Sequence, residues 1–270
     1  YRSNRIELKM QELIQEGTIM IDTEGAVIGQ VNGLAVYSLG DYCFGKPTRI
    51  TAQTFMGERG VVNIERETRM SGRIHDKGVL TLAGYLGAQY AQDKPLALSA
   101  SLAFEQLYGG IDGDSASSAE LFALLSSLAG LPIDQGIAVT GSVNQRGEIQ
   151  PVGGINYKIE GFYRVCKERG LNNQQGVIIP KQNVRNLMLE EEVVEAIEAG
   201  RFHVWAISNV DQGIELLTGV PAGTKDKNGR FTRGGVHYRV DKQLKSWVQK
   251  SRRSAGSSLS AKDKKPATEK

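Results

Sequence analysis

The sequence is poor in cysteine, histidine and long apolar runs, and each shortage argues against a class of protein. Two cysteines in 270 residues, Cys43 and Cys166, do not make a disulfide framework, which favours a reducing, cytoplasmic setting. No apolar run approaches the roughly 18 residues of a membrane span, so no membrane partner is expected. The three histidines, His75, His203 and His237, form no pair with metal-ligand spacing, so no metal site is predicted. Structural roles are favoured for all three, and a minor active-site role stays open for His75 alone.

Charge is distributed unevenly along the chain. Residues 224–270 carry 14 basic and 4 acidic side chains, whereas residues 1–223 carry 19 basic and 26 acidic ones. The favoured interpretation is a solvated, partly disordered basic tail. Contact with nucleic acid or an acidic partner is the alternative that this charge leaves open. Since Tyr1 is not an initiator Met, we also expect an excised fragment or a processed product.

Apolar periodicity predicts a mixed α/β (α+β) fold, with β-hairpins first and alternating strands and helices after them. A first helix is predicted at 4–16, hairpin turns at 56–60 and 144–147, and further helices at 78–90, 119–129, 155–169, 184–199 and 211–217. The stretch 238–249 allows one more amphipathic helix. Three parts are therefore predicted: a helical remnant of a preceding module at 1–20, a main domain at 21–220, and the basic tail at 221–270.

The stretch "GDYCFGKP", from Gly40 to Pro47, begins like a phosphate-binding loop. A Ser or Thr would have to follow Lys46 to hold magnesium, but Pro47 stands there. Proline also lacks the N–H that the phosphate needs and resists the helix that should follow. ATP binding is therefore disfavoured, and a surface turn between strands is predicted.

A serine in "DGDSASSAEL" raises the question of nucleophilic chemistry. Ser117 and Glu120 have the S-x-x-E spacing of a capping box before an apolar helix, which places Ser115 just before a helix N-terminus. Free N–H groups at such an end can stabilise an oxyanion. From this segment alone, serines that merely cap the helix are the favoured interpretation.

A nucleophilic serine needs a base, and no histidine suits that role. A lysine can serve if it is buried and neutral near pH 7. Lys158 in "VGGINYKIEGF" lies one turn into a predicted helix, with Ile155, Ile159 and Phe162 at helical spacing around it. This spacing is suggestive, but by itself it does not assign the base.

Three stretches together resemble the proteolytic domain of Lon, an ATP-dependent protease with a Ser–Lys dyad: "DGDSASSAEL", "AVTGSVNQRGEIQPVGGINYKIEGF" and "GVIIPKQNV". The resemblance runs from about Gly29 to Gly219. The Asp before the serine and "GQVNGLAVY" are more similar to the archaeal-type LonB branch and its bacterial Lon-like relatives. The main domain at 21–220 is accordingly interpreted as a Lon-like proteolytic domain.

The resemblance implies a role for each matching residue. Ser115 matches the nucleophile, Lys158 the general base, and Thr140 the threonine that hydrogen-bonds near the dyad. Asp112 and Asp114 match acidic positions that pair with the lysine or shape the site. The sequence departs from the family at Tyr157, where the family usually has Glu, and this puts any role of that Glu in doubt.

The implied function is a serine endopeptidase that hydrolyses unfolded or damaged polypeptides. The resemblance further implies a homohexameric ring and an attached ATPase module that would use ATP, while this chain itself needs no cofactor or metal. The alternative is a non-catalytic module of the same fold that binds nucleic acid or a protein partner through the basic tail. Nucleic acid is the less favoured partner, and the joint presence of Ser115 and Lys158 favours the enzyme.

Overall fold

The computed structural model describes residues 2–40 and 42–262, in which helices and strands alternate along most of the chain. The helices are α1 Arg2–Gln15, α2 Ile64–Glu67, α3 Arg73–Tyr90, α4 Ser117–Ala129, α5 Ile155–Arg169, α6 Glu191–Glu198, α7 Val210–Thr218 and α8 Val236–Lys262. The strands are β1 Ala26–Ile28, β2 Gln30–Leu39, β3 Tyr42–Met56, β4 Gly60–Asn63, β5 Leu98–Phe104, β6 Pro132–Asp134, β7 Ile137–Val139, β8 Ser142–Val143, β9 Ile149–Gln150, β10 Gly176–Pro180 and β11 His203–Ile207. No helix among these described residues is long and apolar enough to cross a membrane.

Seven strands form one mixed sheet, in the order β11-β10-β7-β2-β3-β5-β4. Strands β11, β10, β7 and β2 run parallel, β3 is antiparallel to both of its neighbours, and β4 is parallel to β5. Two small antiparallel pairs, β1-β6 and β8-β9, complete the strands. The predicted α/β class is confirmed, and so is the hairpin around residues 144–147.

The other predicted hairpin, at 56–60, is wrong. The chain does turn between β3 and β4, but β5 lies between these two strands and pairs with both. Turn residues between two apolar runs indicate a reversal of the chain, but they do not say which strand will fill the neighbouring place in the sheet. Strand β4 also ends at Asn63, whose side chain accepts a hydrogen bond from the Arg66 N–H and starts α2.

Two predicted helices have different bounds in the structure. The helix predicted at 184–199 is a 3₁₀ helix at Lys181–Asn186, an extended stretch, and then α6. The helix predicted from residue 78 begins at Arg73 instead, because the Asp112 carboxylate accepts hydrogen bonds from backbone N–H groups in its first turn. That carboxylate comes from a distant part of the chain, so local periodicity could not reveal the earlier start.

Most of the stretch that begins like a phosphate loop belongs to strand β3, so it is neither a phosphate loop nor a turn. Lys46 and Pro47 lie inside β3, paired with Ala35 and Leu34 of β2. Asp41 lies outside the described residues. Proline is tolerated there because β5 pairs with β3 only from Ile50 onward, so no neighbouring strand pairs with Pro47 on that side.

Helices α4 and α5 pack on opposite faces of the sheet. Alternation along β10 shows this directly: Val177 and Ile179 pack in the core cluster of α5, and Ile178 packs in that of α4. The two helices therefore reach each other only past the end of β7, where the sheet leaves a gap. The start of α4 and the first turn of α5 meet in that gap.

Helix α5 approaches β3 through glycines on both sides. A Cβ atom built on Gly45 would lie 1.9 Å from the Tyr157 carbonyl oxygen and 2.8 Å from the Lys158 Cα. A Cβ on Gly161 would lie 2.2 Å from the Gly45 carbonyl oxygen. Only glycine at both positions allows this distance, and the contact sets how deep the first turn of α5 lies.

We expect Gly45→Ala to move α5 away from the sheet, because the opposing atoms are backbone and cannot rotate aside. The strain should lower the free energy of unfolding by about 1–3 kcal/mol and displace Lys158. The matched control is Gly87→Ala in α3, where an added Cβ meets no atom within 4 Å and helix propensity favours alanine. Thermal melts of both variants test this, and equal midpoints for the two would contradict it.

The first part of the segment predicted as a tail belongs to the core. Helix α8 packs against α4 through an apolar face with i, i+4, i+8 spacing: Val236, Val240, Leu244, Trp247 and Val248. The buried His237 ring also joins Tyr90 and Asp211, with Nδ1 2.6 Å from the Tyr90 hydroxyl and Nε2 2.9 Å from the Asp211 carboxylate. Residues 263–270 of the predicted tail lie outside the described residues.

Candidate active site

Three side chains from different elements meet in the gap past the end of β7. The Lys158 ammonium nitrogen lies 3.1 Å from Ser115 Oγ and 3.0 Å from Thr140 Oγ1. The Thr140 hydroxyl in turn lies 3.3 Å from the carbonyl oxygen of Ser115 and donates to it. The sequence predicted all three residues as a group, and the structure brings them within hydrogen-bonding distance.

Backbone contacts hold the segment of Ser115 against the end of β7. The Gly141 N–H donates to the Ser115 carbonyl at 2.9 Å, and both the N–H and the hydroxyl of Ser118 donate to the Gly141 carbonyl. A Cβ on Gly141 would lie about 3.0 Å from Ile149 and 3.1 Å from Ser118 Oγ. The position of the serine is therefore set by β7 as well as by its own helix.

The capping box predicted from Ser117 and Glu120 is absent. Ser117 is the first residue of α4, and its hydroxyl accepts a hydrogen bond from the Val143 N–H at 3.0 Å. The Glu120 carboxyl turns inward and is fully buried. The S-x-x-E spacing predicted the start of the helix correctly, but tertiary contacts use both side chains differently.

Burial changes the acid–base chemistry of Lys158. Its side chain is only 3% exposed, and it lies among Ile155, Ile159 and Phe162 of its own helix. Removal from water disfavours the ammonium form and lowers the pKa of Lys158 to about 8, while the Asp114 carboxylate acts in the opposite direction. At pH 7 the neutral amine is therefore far more populated than in a solvated lysine.

The two predicted aspartates have different surroundings. Asp114 acts on the charge of Lys158, and one of its carboxylate oxygens accepts a hydrogen bond from the Ser142 hydroxyl at 2.8 Å. Asp112 instead accepts hydrogen bonds from the N–H groups of Ile74, His75 and Gly113. The Gly113 N–H is the main cause that lowers the pKa of Asp112. Asp112 thus caps α3, and no contact joins it to Lys158 within the described residues.

This difference predicts a pH effect for only one aspartate. Removing the Asp114 charge withdraws an interaction that favours the ammonium, so the pKa of Lys158 should fall further. Asp114→Asn should therefore shift the acidic limb of the pH profile of peptide hydrolysis to lower pH. The matched control Asp112→Asn should leave that limb in place. Rates from about pH 5 to pH 9 test this, and an unmoved limb in Asp114→Asn would contradict it.

The start of α4 supplies backbone donors next to the serine. Among the described residues, the N–H groups of Ser115 and Ala116 have no backbone acceptor. They lie at the positive end of a helix of 13 residues. Donors in this position suit an oxygen that becomes negatively charged close to Ser115 Oγ.

A cavity of about 740 Å³ opens onto these groups. Its walls combine apolar side chains with exposed backbone, and they include the following residues: Leu34, Val36, Tyr37, Ile74, Phe104, Leu107, Ile111, Ser115, Val152 and Lys158. A second cavity of about 620 Å³ shares Pro151–Gly154 and Tyr157 with the first. Because they share these residues, the two cavities form a groove along the first turn of α5.

Tyr157, the departure noted in the sequence, lies at the ridge between the two cavities. Its side chain is 45% exposed and lines both of them. It faces the groove, whereas the next residue, Lys158, faces the core. The substitution therefore changes the wall of the groove and leaves the Ser115–Lys158 contact in place.

The histidines stay apart from the lysine. His203 contacts the Asn173 carbonyl, and His237 lies among α3, α7 and α8. His75 is buried in α3, where sequence reasoning placed a turn. No group of three His, Cys, Asp or Glu residues within the described part of the chain is arranged to hold a metal ion.

Comparison with known proteins agrees with the resemblance to Lon that the sequence motifs show. Residues 109–218 match the family model of the Lon protease (S16) C-terminal proteolytic domain. A protein of Escherichia coli (strain K12), provisionally named a Lon protease homolog, is 45% identical over 219 residues, which cover 80% of this chain and 37% of that protein. A Haemophilus influenzae protein of the same name is 39% identical over 239 residues, covering 85% and 40%. The archaeal Lon protease of Thermococcus kodakarensis is 32% identical over 197 residues, covering 73% and 28%. The chain spans less than half the length of these relatives.

Proposed function

Because this chain belongs to the family of Lon proteolytic domains, we propose that it is a serine endopeptidase with Ser115 as nucleophile and Lys158 as general base. The observation that carries the proposal is the contact between a buried lysine nitrogen and the serine hydroxyl at 3.1 Å. A lysine held in this way accepts a proton near neutral pH, which a solvated lysine does not do.

In the proposed reaction, the neutral Lys158 amine removes the proton from the Ser115 hydroxyl while Oγ attacks the peptide carbonyl carbon. The N–H groups at the start of α4 stabilise the oxyanion. The Lys158 ammonium then donates its proton to the leaving amine, and the peptide bond breaks. Water, deprotonated by the same lysine, hydrolyses the acyl-enzyme and restores Ser115.

Thr140 and Asp114 take supporting roles in this proposal. Thr140 accepts a hydrogen bond from Lys158 and donates one to the Ser115 backbone, so it aligns the amine with Oγ. Asp114 keeps part of the lysine population charged and so lowers the fraction of active base. Asp112 acts through its hydrogen bonds with the start of α3 and with the Gly113 N–H.

The substrates we propose are unfolded polypeptides, because Ser115 and Lys158 line a cavity, which an extended chain segment enters more readily than a folded surface does. An ATPase module outside this sequence and a hexameric ring belong to the same proposal, and both rest on the resemblance of the sequence motifs to Lon. The chain's own contribution is the hydrolytic step, for which it needs no cofactor.

A peptide boronate tests the proposed activity. The protein should cleave an unfolded substrate such as reduced, alkylated casein, and the boronate should abolish cleavage by binding reversibly to a serine hydroxyl. A metal chelator is the matched control and should have no effect. Cleavage that survives the boronate but stops with the chelator would contradict a serine peptidase.

A further inference from the structure

A buried pair of ionisable side chains lies behind the segment that carries Ser115. His75 projects from α3 and Glu120 from α4, and each side chain is about 1% exposed. His75 Nε2 lies 3.7 Å from Glu120 Oε1. Neither residue contacts the dyad, and the mechanism above uses neither of them.

The surroundings favour the uncharged form of both groups. Burial raises the pKa of Glu120 to about 8, and the nearby Glu65 carboxylate adds to this effect. Burial also lowers the pKa of His75, against the pull of the carboxylates of Glu65, Asp76 and Asp112. A carboxylic acid and a neutral imidazole are therefore the states expected at neutral pH.

Unsatisfied atoms of the two side chains complement each other. Within the part of the chain that the structure describes, His75 Nε2 and Glu120 Oε2 have no hydrogen-bond partner. Both are buried, so leaving either of them unpaired destabilises the fold. A proton on Glu120 and the lone pair of His75 Nε2 satisfy both groups after a small rotation of the carboxyl.

The other ring nitrogen reaches the segment that carries the nucleophile. The Gly113 backbone raises the pKa of His75 as a hydrogen-bond acceptor does, and Asp112 Oδ1 accepts from the N–H groups of both residues, so the two lie side by side. The Gly113 N–H already donates to Asp112, so the Gly113 carbonyl is the group left to accept from the ring, and the unpaired Nε2 leaves Nδ1 as the nitrogen to donate. Gly113 has a positive φ of 91° and lies two residues before Ser115. The orientation of its peptide group decides where the serine points.

We propose that Glu120 and His75 are positioning residues of the proposed peptidase: protonated Glu120 donates to His75 Nε2, which fixes the tautomer that donates to the Gly113 carbonyl and holds Ser115 in line with Lys158. This inference rests on the proposed function. The apolar contact of His75 with Phe104, at 5.4 Å between ring centroids, keeps the ring in place. Loss of the pair leaves the dyad present but misaligned.

Two substitutions of Glu120 separate positioning from simple stability. Glu120→Gln keeps a donor for His75 Nε2, so kcat should stay within about 3-fold of the parent, whereas Glu120→Met has similar size but no donor, so kcat should fall by about 10- to 100-fold with KM little changed. Glu120→Met leaves the buried His75 Nε2 without its proposed partner, so its melting midpoint should fall as well. Positioning is therefore measured as the loss of kcat at unchanged KM, at a temperature well below the midpoint of every variant.

Steady-state kinetics and thermal melts of the parent and the two variants decide the matter. Parental kcat in Glu120→Met, or an equal loss in Glu120→Gln, would overturn the inference while leaving the proposed function intact. A parent that cleaves no peptide would overturn the proposed function and this inference with it.

If Glu120→Met does not fold, the variants His75→Asn and His75→Leu test the same inference. Asparagine keeps a donor at the Nδ1 position and should retain activity, whereas leucine should lose it, and equal activities would overturn the inference.

Discussion

Ser115→Ala should lower kcat for peptide hydrolysis by at least about 10³-fold, because no other hydroxyl is held against the lysine nitrogen in the same direction. Thr140 Oγ1 is as close to that nitrogen, but it donates to the Ser115 carbonyl. Thr140 is also not among the residues that line the cavity of Ser115. The variant should fold normally, since the one hydrogen bond of Ser115 Oγ within the described part of the chain is with Lys158.

The matched control for this variant is Ser127→Ala at the far end of the same helix, where the hydroxyl contacts Thr54 at 2.8 Å. Its peptidase activity should equal that of the parent. Cleavage of a fluorogenic peptide measures both variants, and near-parental activity in Ser115→Ala would show that another group is the nucleophile.

Lys158→Met should reduce kcat as much as Ser115→Ala, because the serine and its base act as one unit. The double variant Ser115→Ala, Lys158→Met should accordingly be no less active than either single variant. The methionine side chain occupies the apolar space of the lysine methylene groups but carries no amine. The free energy of unfolding should therefore stay equal or rise, since a partly charged group is no longer buried.

Lys167→Met is the control on the same helix, because Lys167 is half exposed and pairs with Glu192 on the surface. It should leave kcat unchanged. If Lys158→Met retained activity, or if the double variant lost the sum of two separate effects, Lys158 would not be the base for Ser115.

Local pattern was sufficient to predict much of the site. Helical periodicity predicted α5 at its observed bounds of Ile155–Arg169, and it placed Lys158 on the apolar side of that helix. The resemblance to Lon then grouped Ser115, Lys158 and Thr140, and their distances agree with that grouping. Their catalytic roles stay a prediction until the variants are measured.

Contacts between distant segments could not be predicted in the same way. Gly45 was part of a motif considered for phosphate binding, yet its importance comes from the approach of α5 more than 100 residues later in the chain. Glu120 was assigned to a cap because its spacing from Ser117 is suitable, but its carboxyl is buried next to His75 of α3. Asp112 was grouped with Asp114 because both match acidic positions in the resemblance to Lon, and only the contacts of Asp112 with the start of α3 and with Gly113 separate their roles.

The C-terminal segment shows the same limit. Its composition predicted a basic, partly disordered tail, and Arg239, Lys242, Lys245 and Lys250 do lie exposed on α8, but the apolar residues between them cover α4. Composition averages over both faces of a helix, whereas packing uses only one. A truncation after Gly219 would therefore expose part of the core and would not test the basic charge alone.

The central claim is that a neutral Lys158 activates Ser115. The most direct measurement is the site and rate of covalent labelling by a peptide phosphonate, followed by mass spectrometry of proteolytic fragments. The account predicts a single adduct on Ser115 in the parent, unchanged labelling in Lys167→Met, and at least about 10³-fold slower labelling in Lys158→Met. An adduct on another residue, or labelling of Ser115 at the parental rate without Lys158, would contradict it.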